Sequence, residues 1–343
     1  MMATETTDPE SSESSGPLAD KSPWLKIGIV VGGLAVAVSL MVLAFLAPSI
    51  NSGADDLPVG ISGPAQATAQ LQQKFEAAQP GAFDFKNYDD AAAVAEAAHD
   101  RDVVGGISIE ADGSVTITVA GGAGTPYSAL LKNIGAGLEA AGKKITYIDV
   151  APLTADDPNG SGLSALGMPL AFGGMISAVL LSTLLKNLPL YKIAGSIAGS
   201  TVVGFVVVAI LQFGFGSVDG NYFLTSLSLA LGVAAISLFV LGMESLLGYA
   251  GFGVGGLLMM FIANPLSGMA TGWQWLPSPW GFIGQLLPIG STGTLVRSVA
   301  FFDGHGIGMP LTVLFIWVIV GVALTIGGAA KKQRAAAASA ANA

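Results

Sequence analysis

The sequence predicts an α-helical polytopic membrane protein of six transmembrane helices, with an extracytoplasmic mixed α/β domain inserted after the first. Three observations carry this. The 343-residue chain is 52% hydrophobic and only 11% charged, where a soluble chain has about 25% charged residues. Six segments, about 25–47, 163–185, 193–213, 222–242, 246–266 and 309–330, reach the roughly 20 apolar residues that cross a bilayer. Of the 23 Asp and Glu, 5 lie in residues 1–20 and 15 in residues 51–162, which leaves Asp219, Glu244 and Asp303 for the rest.

Residues 1–23 are acidic and rich in Ser and Thr, the composition of a disordered tail. The first span, 24–47, reads as an anchor and not a cleaved signal peptide. Its apolar run is long, and the stretch before it is acidic where a signal peptide is basic.

Residues 48–162 alternate strand and helix signals. LPVGIS (57–62), FDFKNY (83–88), VVGGISIE, SVTITVA and ITYIDVAPL (145–153) read as strands. Gly63-Pro64 opens a helix with Ala67, Leu71, Phe75 and Ala78 on one face. A second, alanine-rich helix covers 89–101, and Thr125-Pro126 starts a third whose face is Tyr127, Leu130, Leu131, Ile134 and Leu138. Asp112-Gly113 between β-branched runs is a hairpin signal. About 100 residues of this kind are enough for a core that folds alone.

Residues 163–330 form the membrane domain. Lys21, Lys26, Lys186, Lys192, Lys331, Lys332 and Arg334 all fall on one side of six spans, and basic flanks mark the cytoplasm. Both termini are then cytoplasmic, the tail 331–343 included, and 48–162 is outside. The turn between the fourth and fifth spans is placed around Glu244. Gly195, Ser196, Gly199, Ser200 and Gly204 in the third span, and Gly251, Gly253, Gly255 and Gly256 in the fifth, suit close helix packing. Segment 268–308 lies outside and is broken by Pro277, Pro279 and Pro288. It predicts short re-entrant or interfacial helices held at the headgroup level by Trp273, Trp275 and Trp280. Asn264, Pro265, Arg297 and Asp303 are candidates for a path or external gate, with Arg297 either paired to Asp303 or snorkelling to lipid phosphates.

Several chemistries are excluded or lack support. Without cysteine there is no disulfide or thiolate site. No GxxxxGK[ST] occurs, so the chain is not a P-loop ATPase of the usual kind. GGAG (121–124) lacks the GxGxxG spacing and reads as a strand-to-helix turn. Asp89-Asp90 and Asp100-Arg101-Asp102 suit either helix capping or a cation. His99 and His305 show no metal-site spacing. No catalytic constellation, cofactor site or metal site emerges, so the chain reads as a non-enzyme. The net charge of −9 argues against nucleic acid.

The strand LPVGIS after span 1, DVVGGISIEADGSVTITV, the exit YIDVAPLTADDPNGSGLSALGMPL and the late stretch NPLSG…WLPSPWGFIGQLLPIGSTGTLVRSVAFFDG carry a resemblance over about residues 25–330. They are similar to ABC-2 type membrane permeases, in particular the Pip/YhgE-like (phage infection protein) group. The resemblance implies an exporter of an amphiphilic or lipid-like substrate in a bacterial cell membrane. It also implies a separate ATP-binding subunit on the cytoplasmic side and a homodimer or a heterodimer with a second permease. Lys186, Tyr191, Lys192 and Glu244 are then the candidate ATPase contact. Two features depart from that pattern: no amphipathic helix precedes span 1, and the loop KNLPLYK (186–192) is short. They leave a second reading, a non-transporting receptor or scaffold for envelope or secretion assembly.

Overall fold

The structure, a computed structural model, describes residues 22–341. The acidic tail expected at 1–23 lies almost wholly outside the described residues. The chain divides into two units, Met1–Leu46 and Ala47–Ala343. Helix α1 (Pro23–Ile50) makes up the described part of the first and runs into the second.

The second unit begins with a sheet and its helices: β1 (Leu57–Ser62), α2 (Ala65–Ala78), β2 (Phe83–Tyr88), α3 (Ala91–His99), β3 (Gly105–Ile109), β4 (Val115–Val119), α4 (Thr125–Ala140) and β5 (Ile145–Asp149). The order is β2-β1-β3-β4-β5. Strand β1 runs parallel to β2 and β3, β4 returns antiparallel to β3 through the Asp112-Gly113 hairpin, and β5 is parallel to β4. Every residue of β4 is buried, as expected of a central strand covered on both faces. Glycine makes the fit on one face: a Cβ on Gly106 would collide with the Val94 side chain and with the carbonyl of Gly60. Asp90 caps α3 by accepting from the Ala93 N–H at 2.8 Å, so the capping reading holds at that aspartate.

Then follow α5 (Ser161–Ser164), α6 (Gly167–Leu184), α7 (Pro189–Ala209, continued by a π turn to Gly214), α8 (Tyr222–Leu247), α9 (Tyr249–Leu257, continued by a π turn to Ala263), α10 (Trp280–Gln285), α11 (Pro288–Phe301) and α12 (Gly308–Ala341). Helix α8 is the hub and packs against α6, α7, α9, α11 and α12. The others turn apolar side chains such as Ile176, Val202, Val206 and Ile319 outward. Outward apolar faces around a buried central helix are the arrangement of a bundle that faces lipid.

Among the described residues, five helices are long and apolar enough to cross a membrane: α1, α6, α7, α8 and α12. A sixth crossing is not confirmed on length and composition. The segment expected at 246–266 is a shorter apolar helix, Tyr249–Ala263, whose last part, Leu258–Ala263, is a π turn. The break before it is also displaced. Glu244 sits inside α8, and the chain turns at Gly248, whose φ of +63° suits glycine. Segment 268–308 holds two short helices, α10 and α11. Nearly all of α11 is buried, against α8 and α12 among others.

Candidate functional site

Helix α11 places Arg297 where the α/β layer meets the segment that follows α9. The side chain is 5% exposed. Its Nη1 donates to the Gly122 carbonyl at 2.9 Å and its Nη2 to the Met269 carbonyl at 2.8 Å. One guanidinium therefore ties the GGAG turn to the loop after α9. Neither pairing with Asp303 nor snorkelling is seen: Asp303 lies beside His99, 3.5 Å away, and Arg297 faces protein.

A second arginine crosses the same junction from the other side. Arg101, in left-handed backbone (φ +68°), donates to the Ser298 hydroxyl at 2.8 Å and the Thr294 carbonyl at 3.3 Å. It also lies over the Phe302 ring, 4.8 Å from the centroid, an attractive placement for a cation. Among the described residues neither arginine forms an ion pair. Burial, and then the nearby Arg297 charge, pull the Arg101 pKa down to about 10. It remains a cation at neutral pH. Tyr127 completes the junction. Its hydroxyl donates to Gln274 Oε1 at 3.0 Å and its ring meets Trp275 edge-on. Burial pushes the phenol up, so it stays a neutral donor.

At the opposite end of the helices, Glu244 of α8 accepts from Lys192 of α7 at 3.1 Å and from Lys332 of α12 at 3.3 Å. The Lys192 ammonium also reaches the Ser182 hydroxyl of α6 at 3.1 Å. Four helices thus converge on one carboxylate. A cavity of about 540 Å³ opens beside it, with Lys186, Tyr249, Phe252 and Gln333 on its wall.

A second cavity, of about 680 Å³, lies between α8, α11 and α12. Leu227, Leu231, Leu295, Val299, Leu311 and Phe315 form its apolar wall, and Asn221, Ser228 and Asp303 supply polar atoms. Leu224 and Leu227 are half exposed, so it opens on the outer face of the bundle.

The candidates from sequence fall into three groups. Lys192 and Glu244 are joined directly, with Lys186 on the same cavity wall, while Tyr191 is exposed beside them. Lys192 is buried and its ammonium is committed within the chain, so of the candidate ATPase contacts Lys186 and Tyr191 are the accessible ones. Asn264 and Pro265 line neither cavity. Asn264 Oδ1 instead fills the space that a Cβ on Gly167 would need. Trp280 is half exposed, whereas Trp275 packs into the core of the α/β layer.

The sequence reading placed Arg101 in an acidic cluster, Tyr127 on a helix face and Lys332 among the basic flanks, but not their contacts, because the partners come from distant segments. It also missed that the chain's two histidines meet. His99 and His305 lie with ring centroids 4.9 Å apart, beside Asp100 and Asp303. No protein-family profile, curated protein or solved structure matches the chain.

Proposed function

We propose that the chain is the permease subunit of an ABC-type (ABC-2) exporter for an amphiphilic, lipid-like substrate. ATP hydrolysis belongs to a separate subunit. The chain sits in a bacterial cell membrane with residues 48–162 outside. The observation that carries this reading is the 680 Å³ cavity. Its volume lies in the range of small-molecule sites. A mostly apolar wall with a few polar residues in its lining, open toward the outer face of the bundle, matches a molecule with a hydrocarbon tail and a polar head. Each tail methylene buried there contributes about 0.8 kcal/mol when it comes from water. The knot at Glu244 supports the coupling half of the proposal. A partner that moves this end moves α6, α7, α8 and α12 together, with Lys186 and Tyr191 exposed for contact.

The test is reconstitution. The chain is purified in mild detergent with any accompanying P-loop ATPase and placed in vesicles with a fluorescent single-chain phospholipid. ATP-dependent movement of the probe is expected. Leu227→Trp, which fills the cavity, should lower it about tenfold, while Leu184→Trp on an exposed position should not. Absence of both an ATPase and ATP-dependent movement rejects the proposal.

The exposed edge strand β5 favours the receptor or scaffold reading as a second possibility, since Tyr147 and Ile148 there are 43% and 40% exposed. An unpaired edge can add a strand from a partner. Cross-linking from position 147 to an envelope protein, without transport, would decide for it.

A further inference from the structure

We propose that His99, Asp100 and His305, with Asp303 beside them, form a binding site for a divalent transition metal, Zn²⁺ foremost. The chain contains two histidines and no cysteine. Both histidines come to one place, from the end of α3 and from the loop between α11 and α12. One ligand atom from each of His99, Asp100 and His305 lies within 4.8 Å of the others. Asp303 Oδ2 is 3.5 Å from His99 Nε2. Two imidazoles and two carboxylates are a donor set suited to zinc, which takes nitrogen and oxygen at about 2.0–2.2 Å in tetrahedral geometry.

Such bonds put neighbouring donor atoms roughly 3.3 Å apart. The His99–Asp303 distance already fits. The His305 Nδ1 to Asp100 Oδ1 contact, at 2.6 Å, is the distance of a shared proton. A metal replaces that proton, and the two groups separate by about 0.7 Å. The site is open to water for the exchange, since the side chains of His305 and Asp100 are 46% and 39% exposed and that of Asp303 is 89% exposed. Two further features hold the ligands in place. Asp303 sits in left-handed backbone (φ +49°), and Gly306 backs onto the Arg101 side chain. The Arg101 charge, which would repel a cation, is turned away toward Ser298 and Thr294. The two carboxylates balance a divalent ion. The ion would clasp the α/β layer to the loop that precedes α12.

The full chain, without a polyhistidine tag and stripped with EDTA, is titrated with Zn²⁺ in detergent by calorimetry. One Zn²⁺ per chain is expected, together with a higher thermal midpoint. Ca²⁺, which prefers all-oxygen sites, should give neither. His99→Gln and His305→Gln should each weaken Zn²⁺ binding at least tenfold and abolish the metal-dependent rise in midpoint. Midpoints measured in EDTA, equal to the wild type, show that the variants fold. If Zn²⁺ does not bind saturably, or binds His99→Gln and His305→Gln as tightly as the wild type, the proposal is overturned.

Discussion

Arg297 is the residue on which the junction turns. A buried guanidinium without a carboxylate is costly unless its N–H groups are satisfied. Here two carbonyls, of Gly122 and Met269, accept from one N–H on each terminal nitrogen. Arg297→Ala leaves both carbonyls unpaired, at about 1–3 kcal/mol each. Thermal unfolding in detergent should show a large loss. Arg297→Lys keeps the charge without the planar fork, and should recover less than half of that loss. If lysine restores wild-type stability, charge alone suffices and the fork has no role. The sequence marks this arginine as the lone cation of its segment. It carries no sign that the partners are backbone atoms of residues 122 and 269. Carbonyl acceptors have no residue type to read, so such a site becomes visible only when the chain is folded.

Between elements, the seam of α8 and α12 shows what glycine spacing does and does not reveal. The small residues singled out in α7 divide when placed. Gly204 lies against the backbone of Ser226 and Ala230, while Gly199 touches little. A second close seam was not singled out. Gly242 of α8 meets Leu324, Gly321 of α12 meets the backbone at Leu238 and Phe239, and Gly328 meets Ser245. Period and hydropathy identify helices well, and α6, α7, α8 and α12 lie close to their expected spans. Which glycine faces a neighbour depends on crossing geometry, which pattern does not encode. The π turns after α7 and α9 have no sequence signature either, and one of them forms the end of the expected fifth span. Gly321→Leu should therefore destabilise the folded chain by at least the 1–3 kcal/mol typical of overpacking, because rigid backbone stands in the way. Gly327→Leu, on the same helix with nothing near its Cβ position, should be neutral or slightly stabilising through helix propensity. Equal effects in thermal unfolding would reject this account of the seam.

At the scale of the whole molecule, the question is which end of the helices faces the cytoplasm. Within residues 47–343 the two ends differ in chemistry. One end gathers Lys186, Lys192 and Lys332 around Glu244, with Lys331 and Arg334 adjacent in sequence. The other carries the α/β layer, joined through Arg101 and Arg297 to α11. Basic residues flanking spans accumulate on the cytoplasmic side. The contacts of Lys192 and Lys332 with one carboxylate make the start of α7 and the late part of α12 share an end. That placement agrees with the count of basic residues, which orders the loops without knowing their contacts. Because the chain has no cysteine, single cysteines report cleanly. Ala111→Cys, exposed in the β3–β4 hairpin, should react with a membrane-impermeant maleimide in intact cells. Gln333→Cys, exposed on α12, should react only after permeabilisation. The reverse pattern would invert the orientation, and with it the side from which an ATPase could dock. Labelling of both in intact cells would place both ends outside and remove the basis for an energy-coupled permease.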